Sequence, residues 1–128
     1  MANLVYPELS FKIIGIAFNV YNDLGYGYQE KYYQKAIALD LNQGGIKYER
    51  EIPIKLEYKG EKIGKYFIDF IIENKIVLEL KIGSCFHRRD IKQILTYLKA
   101  SGLKLGIIIL ISPSGIKYKR IINISENQ

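Results

Sequence analysis

The chain contains one cysteine, one histidine and no tryptophan. A single cysteine excludes a disulfide framework, a four-cysteine zinc site and a four-cysteine iron–sulfur cluster within one chain. It also fits a reducing location, and the cytoplasm is expected. Cys85 has Arg88 and Arg89 nearby, which would lower a thiol pKa, but no base partner is evident, and a semi-buried, inert thiol is expected. His87, with no second histidine, is expected to be an exposed loop residue and neither a ligand nor a base. No apolar stretch reaches the roughly 20 residues of a membrane span. The N-terminus lacks a basic leader, apolar core and small-residue cleavage site, so no secretory signal is expected. A glycine-rich phosphate loop, a Gly-x-Ser-x-Gly turn and zinc-ligand spacing are also absent. With no repeat, low-complexity tract or linker, the expectation is one domain over residues 1–128.

What is present is ordinary for a globular domain: 48% hydrophobic and 25% charged residues. The net charge of +6 favours an anionic partner, nucleic acid foremost.

Helical spacing of Ile13, Ala17, Val20, Tyr21 and Leu24 predicts a helix over Pro7 to Leu24. Gly25-Tyr26-Gly27 breaks it. A second helix is expected from Tyr28 to Asn42, with Tyr33, Ile37 and Leu41 inward and Gly44-Gly45 as the stop. Lys47 to Lys59 alternates as a half-buried strand, with Tyr48, Ile52, Ile54, Leu56 and Tyr58 on one face. Pro53 marks it as an edge or a bulge. After a turn at Lys59 to Lys62 comes the strand carrying Asp69, and Arg89 to Ser101 predicts a third helix. Leu103 to Ile111 is a near-continuous apolar run, the pattern of a buried central strand, and Ile116 to Ile124 predicts a last, basic strand. A strand–helix–strand crossover would set the buried strand parallel to the one carrying Glu79. The expected fold class is α/β, a mixed central sheet flanked by helices.

The charges that need explaining lie between Ile68 and Lys81. Two apolar strands meet there at Glu73-Asn74-Lys75. A three-residue loop pairs Ile72 with Ile76 and Phe70 with Leu78, which sets Asp69 opposite Glu79; a two-residue turn would move Asp69 to the other face relative to Glu79. In the three-residue register Lys81 shares their face. The other face carries Ile68, Phe70, Ile72, Ile76, Leu78 and Leu80. Directly opposed carboxylates lie roughly 5 Å apart at Cβ and repel, and buried charges are normally paired or bound to metal. Two carboxylates suit Mg²⁺, which keeps several waters. The plainer alternative is a Lys81–Glu79 bridge with Asp69 at a frayed, solvated strand end.

Elsewhere, Glu30 lies at a helix start, where the dipole favours a carboxylate. Gln93 and Tyr97, four apart, share a helix face.

The pattern Asp69-x9-Glu79-Leu80-Lys81 resembles the signature of the PD-(D/E)XK nuclease superfamily. Gly27-Tyr28-Gln29-Glu30-Lys31-Tyr32-Tyr33 fits G-x-x-E-x-x-Y and resembles the GxxExxY family within it. Ile13-Ile14-Gly15, Asn22-Asp23-Leu24-Gly25, Tyr58-Lys59-Gly60, Gln93 to Leu98 and Arg120 to Asn123 follow in the same order. Two positions depart: Lys65 stands where relatives often carry an acid, and Ile111-Ser112 replaces the usual Asn-Phe.

The resemblance implies a restriction-endonuclease-like core and a Mg²⁺- or Mn²⁺-dependent nuclease acting on DNA. Asp69, Glu79 and the Leu80 carbonyl would bind the cation, with Glu30 reaching it directly or through water. Lys81 would orient or help deprotonate the attacking water. Gln93 and Tyr97 would help position substrate and active site. Lys59, Lys62, Lys65, Arg88, Arg89, Lys117, Lys119 and Arg120 would hold the backbone in a sequence-independent way. From size alone, a homodimer is expected to extend reach on a duplex. The alternative function is a non-catalytic module on the same fold that binds nucleic acid or a protein partner.

Overall fold

The computed structural model describes residues 5–124. In chain order the elements are α1 (Pro7–Leu24), α2 (Glu30–Gln43), β1 (Tyr48–Tyr58), β2 (Glu61–Ile72), β3 (Ile76–Ile82), α3 (Arg88–Ser101), β4 (Leu105–Ser112) and β5 (Gly115–Ile122). The five strands form one sheet in the order β1-β2-β3-β4-β5. Only the β3–β4 pair is parallel, joined by the α3 crossover. This is the expected mixed sheet, and Pro53 sits on an edge strand.

Two apolar layers cover the sheet. On one face, α1 and α2 pack Ile13, Ala17, Tyr33, Ile37 and Leu41 against Phe70, Ile72, Leu78, Leu80 and alternate residues of β4. On the other, Ile94 and Leu98 of α3 pack against Ile68, Ile71, Val77, Ile108 and Ile121. β4 is buried along its whole length because both faces are covered.

The β2–β3 turn has the expected register: Ile72 faces Ile76 and Phe70 faces Leu78. Glu73 and Asn74 both take positive φ, and the Lys75 N–H donates to the Ile72 carbonyl. The ladder ends at Phe70–Leu78, one pair short of Asp69 and Glu79. β2 continues with β1 alone as a two-stranded arm, and such ribbons twist strongly. Glu51, opposite the break, adopts φ 55° between the paired Arg50–Phe70 and Ile52–Ile68.

The twist changes which face residues of equal parity occupy. Tyr48 and Phe70 pack with α1 and α2, whereas Ile52, Ile54, Tyr66 and Ile68 pack with α3. The expectation that Ile68 shares the Phe70 face is therefore corrected. Leu56 and Tyr58, expected on a half-buried face, are 37% and 60% exposed because the arm outruns α3. Cys85 is exposed and not semi-buried. His87 is exposed, at the N-cap of α3.

Gly106 is where α3 meets the sheet most closely. A Cβ there would lie 2.5 Å from Ile94 Cγ2. Gly106→Ala should lower stability by about 1–3 kcal/mol, the usual cost of overpacking. Adding Ile94→Leu, which removes the β-branch that bears Cγ2, should recover part of the loss in thermal melts.

Candidate metal-dependent active site

The site forms where β2 parts from β3. The Asp69 N–H donates to Glu79 Oε2 at 3.1 Å, and the Leu80 N–H donates to Asp69 Oδ2 at 2.8 Å. Each carboxylate thus occupies a place the ladder would have filled with a backbone bond. A strand residue aims its N–H and C=O at the same edge, so the Leu80 carbonyl also looks into this gap. Glu79 is only 8% exposed.

Burial and mutual charge make this pair costly to ionise. Burial, followed by the charge of Asp69, pushes the Glu79 carboxyl up to about 8. Asp69 is also raised by burial, against the opposing pull of the Leu80 N–H, Lys81, Gln34 and Arg50. Glu30 is raised by burial and then by Asp69, with Lys81 acting the other way.

Glu30 reaches the site because of how α2 begins. Gly27, at φ 124°, turns the chain. The buried Tyr33 hydroxyl donates to the Gly25 carbonyl and accepts the Tyr28 N–H, fastening that turn to the helix. The Tyr of G-x-x-E-x-x-Y is thus a brace for the Glu.

Four residues of the site lay outside the sequence expectations. Gln34 Nε2 donates to Glu30 Oε2 at 3.2 Å, and the Gln34 side chain also favours the ionised form of Asp69. Arg50 Nη2 donates to Gln34 Oε1 at 3.5 Å, which turns the amide nitrogen toward the carboxylates. Arg50 in turn lies over the Phe70 ring. Asp90, in the first turn of α3, pairs with Lys81 at 3.7 Å. Tyr66 feels the charge of Glu79, and its hydroxyl donates to the Gln93 carbonyl at 3.0 Å. Gln34, one turn after Glu30 on its helix, was the one with a spacing signal.

Gln93 and Tyr97 make no hydrogen bond to the carboxylates and meet the site through Tyr66: the Gln93 carbonyl accepts its hydroxyl, and the Tyr97 phenol lies within electrostatic reach of it. Among the proposed backbone-binding cations, Lys117 and Lys119 lie across β4 in register with Lys81 and Glu79. Lys62 and Lys65 lie on the arm, with Lys65 over Phe67, and Arg88 and Arg89 open α3. Arg120, expected to be free for substrate, is half-buried and donates to the Val5 carbonyl.

Among the described residues, no three His, Cys, Asp or Glu side chains converge as a ready-made ion cage. Two mutually repelling carboxylates, one buried and one half-buried, and a strand carbonyl fit a hard cation that retains several waters. Glu30, held by Gln34, is within their electrostatic reach without joining them as a third ligand.

The carboxyl pair makes the metal-free fold pH-dependent. Glu79 and Asp69 bind protons more tightly folded than unfolded, so stability is greatest at low pH within the window. It should fall as pH rises from about 4.5 through about 8. Glu79→Gln should flatten this slope and raise the melting temperature at pH 8 in chelator. An unchanged slope would locate the titration elsewhere.

A family model for the PD-(D/E)XK nuclease superfamily matches residues 7–121. No curated protein sequence matches the chain. Among solved structures, the crystal structure of SSO0001 aligns with a TM-score of 0.48 and 18% identity, over 91% of this chain and 78% of that one. The superfamily match takes in both helices before the sheet, the parted strands and α3, and on it the chain belongs to the PD-(D/E)XK nuclease superfamily.

Proposed function

We propose that the protein is a metal-dependent deoxyribonuclease of the GxxExxY family, hydrolysing phosphodiester bonds with Mg²⁺ or Mn²⁺. The observation that carries this reading is the Asp69–Glu79 pair, Asp69 half-buried and Glu79 buried, each carboxylate held by the other strand's backbone N–H. A sheet under no functional constraint would fill these positions with apolar residues and keep its ladder.

Asp69, Glu79 and the Leu80 carbonyl would hold the cation, with Glu30 approaching it through water. The cation would supply Lewis acidity and neutralise charge at the phosphate. Lys81 extends from β3 beside the pair, and Asp90 restrains its ammonium. That ammonium is placed to hydrogen-bond a phosphate oxygen or the attacking water, stabilising the charge that develops. Gln34 and Arg50 keep the acidic groups oriented. Lys117 and Lys119 extend positive charge over the same face of the sheet, a contact that weakens with salt.

Lys81→Ala should abolish cleavage of labelled DNA while affinity stays within about tenfold, because backbone binding is shared among many cations. Cleavage at the wild-type rate would remove Lys81 from the mechanism. Mg²⁺ or Mn²⁺ should raise the melting temperature by mass action. Glu30→Gln should shrink that rise and slow cleavage, with metal-free stability equal or higher. An unchanged metal response with full activity would return Glu30 to a helix-dipole role.

A further inference from the structure

Beside the carboxylate pair, on the α3 side of the arm, lies a crevice of about 240 Å³. It is lined by Leu56, Tyr66, Arg89, Lys92, Gln93 and Thr96. We propose that this crevice holds one unpaired nucleobase of a single-stranded substrate, next to the phosphate presented to Asp69 and Glu79. The proposal rests on the nuclease reading and adds the substrate class.

The lining has the chemistry of a base site. Leu56 and the Tyr66 ring give it an apolar wall. The Tyr66 hydroxyl is already committed to the Gln93 carbonyl, which fixes the ring against α3 and leaves it no polar task in the crevice. The Gln93 side-chain amide has no hydrogen-bond partner within the described fold. It offers a donor and an acceptor, the pair that a base edge requires. Thr96 turns its hydroxyl back to the Lys92 carbonyl at 2.9 Å, so its methyl is left for the crevice.

Arg89 and Lys92 stand at the rim. Among the described residues the one carboxylate–cation pair within 4 Å is Lys81–Asp90, so neither rim cation has an acidic partner. A base with its flanking phosphates would satisfy both the apolar wall and these cations.

Position ties the crevice to the chemistry. Tyr66 lies three residues before Asp69 on β2 and feels the charge of Glu79. Arg89 adjoins Asp90, which holds Lys81. A nucleotide bridging crevice and carboxylates therefore needs little reach. In a duplex the same base is stacked and paired, and extracting it costs several kcal/mol. A single strand also requires only one site, so on this substrate cleavage does not depend on a dimer.

The test uses a fluorescent single-stranded 20-mer, its duplex, and a strand of the same length that is abasic throughout, so that no shift of register can restore a base. Binding is measured in chelator. The abasic strand should bind the wild-type protein about tenfold more weakly, the scale of losing one stacked base. Duplex should bind more weakly than the intact strand. Thr96→Phe, which fills the crevice, should weaken the intact strand by a similar factor and remove the difference between intact and abasic strands. Equal wild-type binding of the two strands would overturn the proposal without any variant having to fold. Cleavage with equal binding of the two would leave the nuclease reading standing and remove the crevice from it. Failure to bind or cleave any of these nucleic acids would overturn both.

Discussion

Asp69 and Glu79 each take a backbone N–H from the strand that carries the other, and the rest of the site follows from this exchange. Like charges cannot sit directly opposite in a tight ladder without cost. Here the ladder stops at Phe70–Leu78 and the carboxylates replace the missing backbone bonds. The stop frees β2 to continue with β1 as a twisting arm. It also leaves the upper half of β3 paired on the β4 side only. The gap so formed is open to residues from both helical layers: Glu30 and Gln34 from α2, Asp90 from α3. A regular sheet would keep those two layers apart.

The hairpin register was readable once a three-residue loop was assumed; a two-residue turn fits the same apolar runs and would have moved Asp69 to the other face. The helices were readable because apolar residues recur at helical spacing between glycine breaks, and α1 has the expected bounds. The face of Ile68 was not readable. Period-two reasoning assumes a uniform strand, and the positive φ of Glu51, at the unpaired position opposite Asp69, breaks that uniformity. Leu56 and Tyr58 were misread for a related reason, since alternation cannot say where the covering helix ends. Arg50, Asp90 and Tyr66 carried no motif. Each reaches the site through a contact between elements far apart in sequence. Glu30 was ambiguous on physical grounds alone. Its surroundings emerge only once Tyr33 is seen to brace the turn before α2.

Charge is distributed to suit an anionic polymer. Lys117 and Lys119 continue the Lys81 and Glu79 rows across the sheet, while Arg89 and Lys92 frame the crevice on the other side of the gap. Arg120 shows the limit of counting cations from sequence: its guanidinium serves the fold by bonding the Val5 carbonyl. The domain thus combines an acidic centre that is costly to ionise with a basic surround that attracts phosphate. On the proposed reading a divalent cation would reconcile the two, because it would lower the cost of ionising the acids and attract phosphate.

That reconciliation can be measured at one group. With ¹³C-labelled glutamate carboxyls, the Glu79 resonance can be identified by its loss in Glu79→Gln and titrated with and without Mg²⁺. Without metal its midpoint should lie near 8. With saturating Mg²⁺ it should fall into or below the ordinary carboxylate range. A metal-free midpoint near 4.5, or a high midpoint that Mg²⁺ does not move, would contradict the claim that this carboxylate pair is built to hold a cation.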